Sequence, residues 1–526
     1  MKKSSWFSGL VLIGWLVLLT ALIAPFPLTA VGSQDGGVVI VAKPTEPQSL
    51  DPQRDSGGPS SEVQESILET LVLFDHDMNL QPGLAESWEV SKDGLVYTFH
   101  LRQGVKFHDG TDFNAAAVKF VFDRSLGLIG GKKNRYIKLL GPLKAVEVVD
   151  DYTVKMILDK TFAPFINSLV HTGFAMLSPK AVETMGDRFG RAPVGTGPFK
   201  LVEWTKGQRI VMEKNPDYWQ AGVPKLDRVV FRILPDSQTR VAALRAGEVN
   251  FVLQIPENLY KSLDAAPNIQ TIKNRTLRTV FFRFNPMKPP FDDINVRKAF
   301  VHYVDAATIC QTILEGLHFP ATQPTQPPGV WGIAKDIAGY DYAPEKAAQY
   351  LEASGWKKAK NGKWMKDGQP LRFSLWTTTH RYPQDSTIAV AVKNLLNQQG
   401  LDVEVQTREW GAYRDSIFNK EFGVFLFGAG ASTGDVDYVY SILFHESSRY
   451  AQGPSKAEQL LDRARTAVDI QERLQLSKEF QTVIRDQYLW FPVYWMSQLL
   501  AVSDSVKGFV PREDEKLDFT GIWIQK

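Results

Sequence analysis

The chain has a single cysteine, Cys310, among 526 residues, so no intramolecular disulfide can form. A core of this size needs no covalent staple. Cys310 falls in an apolar helical pattern with Ile309 and Ile313 and reads as a buried, inert thiol. Long runs of one charge sign are missing too: 60 Lys and Arg stand against 58 Asp and Glu, for a net charge of +2. A nucleic-acid binder would carry a basic stripe, and none is present, so nucleic acid is excluded as a partner. There is no solenoid-type repeat. After the first segment, no apolar stretch reaches membrane-spanning length.

Catalytic patterns are equally scarce. His445-Glu446 lacks the second histidine of a zinc-protease helix. Gly428-Ala429-Gly430 follows an apolar run but has no third glycine at the dinucleotide-binding spacing. No nucleophile elbow and no phosphate-binding loop occur. His100 and His108 belong to a hairpin region, while His171, His302, His318 and His380 are isolated. No catalytic residue, metal or cofactor is therefore expected. With 58 acids to choose from, a pair of carboxylates carries no weight as a glycosidase site.

The amino-terminal segment is what stands out. Lys2-Lys3 is followed by an apolar stretch from Gly9 to Ala24, then Pro25, Pro27 and the small residues Ala30-Val31-Gly32-Ser33. This is the layout of a secretory signal peptide, with residues 1–32 removed and the mature chain starting between Val31 and Asp35. An uncleaved anchor is the alternative. No cysteine stands at the cleavage zone, so a lipid anchor is not expected. The length predicts about three domains, and 44% hydrophobic with 22% charged residues is ordinary for a globular protein.

Along the chain, Trp88 and Val90 lead into Asp93-Gly94, a hairpin signal, with Leu95, Tyr97, Phe99 and Leu101 on one face of the return strand. Asn114 is placed to cap a helix carrying Val118, Val121 and Phe122. Ala145 to Asp159 and Phe199 to Lys214 read as further hairpins. Val38 to Val41 and Val229 to Ile233 are strands, and Asp236 caps a helix that ends at Gly247. From Val280 onward, strand and helix alternate. The strands are Phe281–Phe284, Leu371–Trp376, Val403–Thr407 and Phe422–Phe427; helices follow Asp293 and run from Ile388 to Gln399. A long amphipathic helix from Ile470 to Ile484 and an extended run from Trp490 to Val502 close the chain.

The wording of several segments is more specific than their periodicity. Leu84-Ala85-Glu86-Ser87-Trp88-Glu89-Val90 and Tyr97 to Gly110 closely resemble the family 5 extracellular solute-binding proteins, the peptide- and nickel-type substrate-binding subunits of ABC importers. Ser49-Leu50-Asp51-Pro52, Gly195 to Phe199, Asn215 to Trp219, Pro290 to Asp293 with Val296 to Ala299, Glu409 to Tyr413 and Val506 to Phe509 resemble the same family in the same order. The resemblance implies an α/β, two-lobed periplasmic binding protein of type II, with an extra α+β domain inserted in the first lobe. It also implies the boundaries: residues 33–75, 195–278 and 497–526 form lobe I, 76–194 the hairpin-rich extra domain and 279–496 lobe II.

The resemblance further implies a substrate-binding subunit that captures a solute between its lobes. Partners would be a peptide, opine, oligosaccharide or chelate and a membrane ABC permease. The protein would be a periplasmic monomer and not an enzyme. A secreted hydrolase and a ligand-sensing receptor without transport are the alternatives. The loop from Gly428 to Tyr438 is placed at the ligand, which makes Ser432, Thr433, Asp435, Asp437 and Tyr438 candidate contacts; Asp435 reads equally as a helix cap. In dipeptide-binding members an aspartate on this loop holds the peptide's amino terminus, and Ser432 stands at that position here. Arg381 matches the arginine that takes the ligand carboxylate. Trp410 reads as core or as a cleft wall, and Arg135 as a solvated basic loop or a cleft contact. The strands before Arg381 and before the loop are expected to be parallel neighbours, so that both open on one cleft.

Overall fold

The computed structural model describes residues 36–379, 381–445 and 455–525. The signal segment, the mature start between Val31 and Asp35, His380 and Glu446 lie outside the described residues.

Local rules account for most elements. Strands Ala85–Val90 and Val96–Leu101 pair antiparallel, with Trp88 opposite Phe99. Gly94 makes the reversal at φ +69°, where a side chain would be strained. Tyr97, Phe99 and Leu101 are buried, and Thr98 and His100 on the other face are half-exposed. Leu95 sits in the connection before the strand. Asn114 Oδ1 accepts from the Ala117 amide at 3.1 Å and so caps the helix Ala115–Leu126, whose Val118, Val121 and Phe122 are fully buried. Strands Thr153–Leu158 and Leu143–Asp150 complete a four-stranded antiparallel sheet.

The main sheet is continuous. From edge to edge its strands are Asp402–Arg408, Arg372–Thr378, Val424–Gly430, Ile269–Phe284, Trp490–Ser503, Phe251–Leu253, Val38–Lys43, Arg228–Ile233, Arg209–Lys214 and Phe199–Thr205. The short strand Phe319–Pro320 adds to Trp490–Ser503. Separate apolar clusters pack against its two halves. One is built around Val39, Phe231 and Phe251, the others around Phe282, Phe300 and Val424 and around Phe281, Tyr440 and Trp490. Two long strands join the halves. Their register breaks twice near the middle: Arg275 lies opposite Ser497 but the next pair is Thr279 with Trp495, which puts two extra residues on the first strand, and from Val280–Tyr494 to Phe281–Pro492 the second strand carries one extra.

Two expectations need correction. The strand expected at Phe281–Phe284 begins at Ile269. Its first half is polar and partly exposed, so no apolar alternation marks it. The strand expected to end at Phe427 runs through Gly430, because Gly428, Ala429 and Gly430 pair with Val280, Thr279 and Arg278. The loop expected at the ligand therefore starts at Ala431, and Val436, Asp437 and Tyr438 already lie on the helix Val436–Phe444.

The segments that carry the resemblance meet around Glu69. Thr196 donates to its carboxylate at 2.7 Å, Tyr218 at 2.8 Å and the Trp219 indole at 3.0 Å. The Arg102 guanidinium lies 4.4 Å from the Trp219 ring. The Gly197 carbonyl takes Asn215 Nδ2 at 3.1 Å and stands 2.9 Å from His108 Nε2. A Cβ on Gly195 would fall 2.2 Å from the Ile67 carbonyl oxygen, so only glycine allows this approach.

Burial pushes the Glu69 carboxyl up to about 7 against the pull of its three donors. Between about 4.5 and about 7 the folded state alone holds this proton. Its contribution is thus full at the acid end and is lost as pH rises through that window. Glu69→Gln is neutral throughout and should remove the slope. Its stability relative to the parent should rise on the order of 2–3 kcal/mol across the window, allowing for the residual solvent contact of Glu69. The difference cancels His108 and His171, which burial pushes down to about 4 and about 3 and which act in the opposite sense. Urea unfolding on either side of the window measures it, and a pH-independent difference would refute the assignment.

Candidate ligand-binding site

The strands Arg372–Thr378 and Val424–Gly430 are parallel neighbours, Leu375 beside Val424 and Trp376 beside Phe425. Their carboxyl ends therefore open on one edge of the sheet, where ligands sit in open α/β sheets.

After the first strand, Asp385 Oδ2 accepts from the amides of Arg381 and Tyr382 at 2.9 and 3.2 Å, which shapes the turn into the helix Asp385–Gln398. The Tyr382 hydroxyl donates to the Gly428 carbonyl at 3.1 Å. A Cβ on Gly428 would lie 2.5 Å from the Tyr382 ring, so that glycine makes room for the tyrosine. Arg381 is exposed, and its guanidinium lies 5.1 Å from the Trp410 ring and 5.6 Å from the Tyr382 ring. It meets no carboxylate among the described residues. Trp410 opens the helix Trp410–Phe418, half-buried and stacked on Phe427 at 6.0 Å. One side thus packs on the core at Phe427 and the ring also carries Arg381.

After the second strand, Ser432 is exposed and hydrogen-bonds the Tyr438 side chain. Thr433 is buried. Gly434 takes φ +62°, and a Cβ there would meet the Phe74 ring at 2.7 Å, so this loop closes onto the early part of the chain. Asp435 is fully buried, accepts from the Asp437 amide at 2.9 Å as the helix cap, and pairs with Arg473 Nη2 at 2.9 Å through both oxygens. Burial raises its carboxyl despite Arg473. Asp437 is also buried and accepts from Arg465 Nε at 2.7 Å. Both aspartates are occupied by their own chain: a ligand reaching Asp435 would have to break a desolvated pair.

Arg135 is exposed, at a distance in sequence from these loops, and only its backbone is tied down, to the Gln53 carbonyl at 3.0 Å. Its neighbour Tyr136 reaches further. The Tyr136 hydroxyl accepts from the Ser56 amide at 3.0 Å, and it stands near enough to Tyr438 to disfavour that phenol's ionisation. Sequence reasoning missed Tyr136, Tyr382, Arg278 and Glu515. Arg278 lies on the strand half that lacks apolar alternation, and Glu515 in the charged run Arg512 to Lys516. That run, lying between Phe509 and Leu517, was the available signal.

Residues 79–451 match the profile described as bacterial extracellular solute-binding proteins, family 5 Middle. The chain is 32% identical to the glutathione-binding protein GsiB of Shigella boydii over 98% of its own length and 99% of the relative's. Its fold is similar to that of the periplasmic binding protein DppA from Helicobacter pylori, solved in complex with the peptide STSA. The TM-score is 0.79 at 30% identity, covering 94% of this chain and 99% of that one. NikA from Brucella suis, solved in complex with Fe(III)-EDTA, has a TM-score of 0.85 at 26% identity, covering 93% and 100%.

The arrangement separates structural from exposed groups. Asp435→Ala removes the cap and leaves Arg473 buried without its partner, and should cost about 3–5 kcal/mol of stability. Chemical denaturation measures this. Loss of ligand affinity with an unchanged unfolding midpoint would return Asp435 to the ligand.

Proposed function

This chain belongs to the bacterial extracellular solute-binding proteins of family 5, and from that membership we propose that it captures a small peptide-like solute and hands it to a membrane ABC permease. The family brings the two-lobed α/β architecture and the solute-binding role. Arg381 carries the choice of ligand. Its guanidinium is exposed at the strand ends, laid over Trp410 and Tyr382, and unspent on any carboxylate among the described residues. A guanidinium fork fits a carboxylate through two parallel hydrogen bonds. The near full-length likeness to a glutathione-binding protein and the peptide held by the Helicobacter pylori neighbour support the same class. Opine, oligosaccharide and chelate are the competing classes.

The lobe boundaries at 278/279 and 496/497 are supported by the register break between Arg275 and Thr279, opposite Ser497 and Trp495. Hinge motion there would close the lobes over the solute, expel water and strengthen its polar contacts. Nothing in this cycle consumes the ligand. Export by the amino-terminal segment completes the proposal. Among the described residues no helix is long and apolar enough to cross a membrane.

A peptide at about a hundred times its dissociation constant should stabilise the protein by roughly 2.7 kcal/mol and be recovered intact. A melting-shift screen with mass spectrometry of the recovered ligand tests this, and cleaved product with turnover would defeat the proposal. Arg381→Ala should weaken peptide binding by roughly 2 kcal/mol or more with the melting point of the free protein unchanged; equal affinity would remove Arg381 from the site. Amino-terminal sequencing of exported protein should begin between Val31 and Asp35; a chain still starting at Met1 would be membrane-anchored.

A further inference from the structure

One ion pair beside the strand ends has no part in the contacts assigned so far. Arg278 lies directly opposite Gly430 in the sheet. Its Nε donates to Glu515 Oε1 and its Nη2 to Oε2, each at 3.2 Å. The two side chains keep 25% and 29% of their surface exposed. The partner residue on the next strand is glycine, and a Cβ on Gly430 would sit 3.2 Å from both Cζ and Nη2 of Arg278, so the missing side chain leaves the guanidinium approachable. Tyr382 and Tyr438 stand close enough to Arg278 to interact with its charge. Tyr438 in turn holds Ser432. Glu515 therefore stands in the same neighbourhood as Ser432, itself an uncharged residue, while the loop's Asp435 is taken by Arg473.

Glu515 is held there at a cost. Its φ is +66°, a region that non-glycine residues rarely occupy and that clusters at ligand clamps. The residues around it fix the segment. The Asn274 side chain donates to the Arg512 carbonyl at 2.7 Å, the Leu277 amide to the Glu513 carbonyl at 2.9 Å, and Lys516 Nζ to the Val170 carbonyl at 3.3 Å.

The fork is not saturated. It uses two of the five guanidinium N–H donors and one acceptor position on each carboxylate oxygen. The Nη1 donors of Arg278 and the second acceptor positions of Glu515 have no partner among the described residues. A neutral pair of this kind favours neither an isolated cation nor an isolated anion. It matches a group that presents an ammonium beside an oxygen acceptor, which is how the amino terminus of a peptide presents its ammonium and first carbonyl.

We propose that Glu515 and Arg278 form the subsite for the solute's amino terminus, Glu515 accepting from the ammonium and Arg278 Nη1 donating to the adjacent carbonyl, while Arg381 takes the far carboxylate. The substrate class is a short peptide-like zwitterion with both ends free. This rests on the peptide-like reading of the ligand above and adds which residues recognise its cationic end.

Calorimetric titration with trialanine, N-acetyl-trialanine, trialanine amide and maltotriose tests it. Trialanine should bind, and acetylation should weaken it about tenfold or more, the loss of one charge-assisted contact. Glu515→Gln should abolish that preference for the free ammonium and keep the preference for the free carboxylate. Gly430→Ala keeps both charges and crowds Arg278; it should weaken trialanine several-fold, and it serves as the test if the Glu515 variant does not fold. An unchanged ammonium preference in Glu515→Gln, or unchanged affinity in Gly430→Ala, overturns the subsite and leaves the peptide reading standing. Binding of maltotriose with no binding of any peptide overturns both.

Discussion

The pairing of Ile269–Phe284 with Trp490–Ser503 is the constraint on which the rest depends. A hydrogen-bonded ladder resists bending wherever its pairs are complete. These two strands are paired at both ends and mismatched between Arg275 and Thr279 and again between Val280 and Phe281. The ladder is least complete over that stretch. Glycine-lined contacts and charged partners gather at the same place: Gly430 faces Arg278, the Ala431 amide donates to the Leu277 carbonyl, and the carboxyl-terminal segment hydrogen-bonds Asn274 and Leu277. Arg278 itself lies within this irregular stretch, between Arg275 and Thr279.

The strongest wording in the sequence belongs to scaffold. Thr196, Tyr218 and Trp219 turn their donors on Glu69, and Gly195 and Gly197 let two backbones meet. None of these groups lies on the strand-end loops where Arg381, Ser432 and Trp410 are found. Much of the wording that marks the family was therefore legible from residues that hold the fold together, as with Thr196, Tyr218 and Trp219 around Glu69. This is the ordinary relation between a fold and the sites grafted on it.

What could be read locally was read well. Asn114 and Asp236 each cap the helix that follows, because a cap is a contact over two or three residues. Strand–helix alternation pointed to an α/β lobe, and the strands before Arg381 and before the Ser432 loop are paired parallel in it. The failures all involve partners far away in the chain. Gly428 to Gly430 resembled the start of a loop, yet their partners at 278–280 make them strand. Asp435 was weighed as a ligand contact or a cap; Arg473, which makes it buried structure, comes 38 residues later. Glu515 meets Arg278 across 237 residues, and no window over the sequence brings them together.

The central strand has a further consequence for how the protein is made. Trp490–Ser503 pairs with Ile269–Phe284 on one side and Phe251–Leu253 on the other, yet it is the last long strand in the chain. A ribosome has built the chain through Leu489 before this strand exists. Until then the sheet is two incomplete pieces with open edges, which invite pairing with other chains. Its closure also waits on contacts between residues more than two hundred positions apart, the slowest kind to form. The nascent chain is thus kept from completing its fold by topology alone, and it spends its synthesis in a state that chaperones can hold extended.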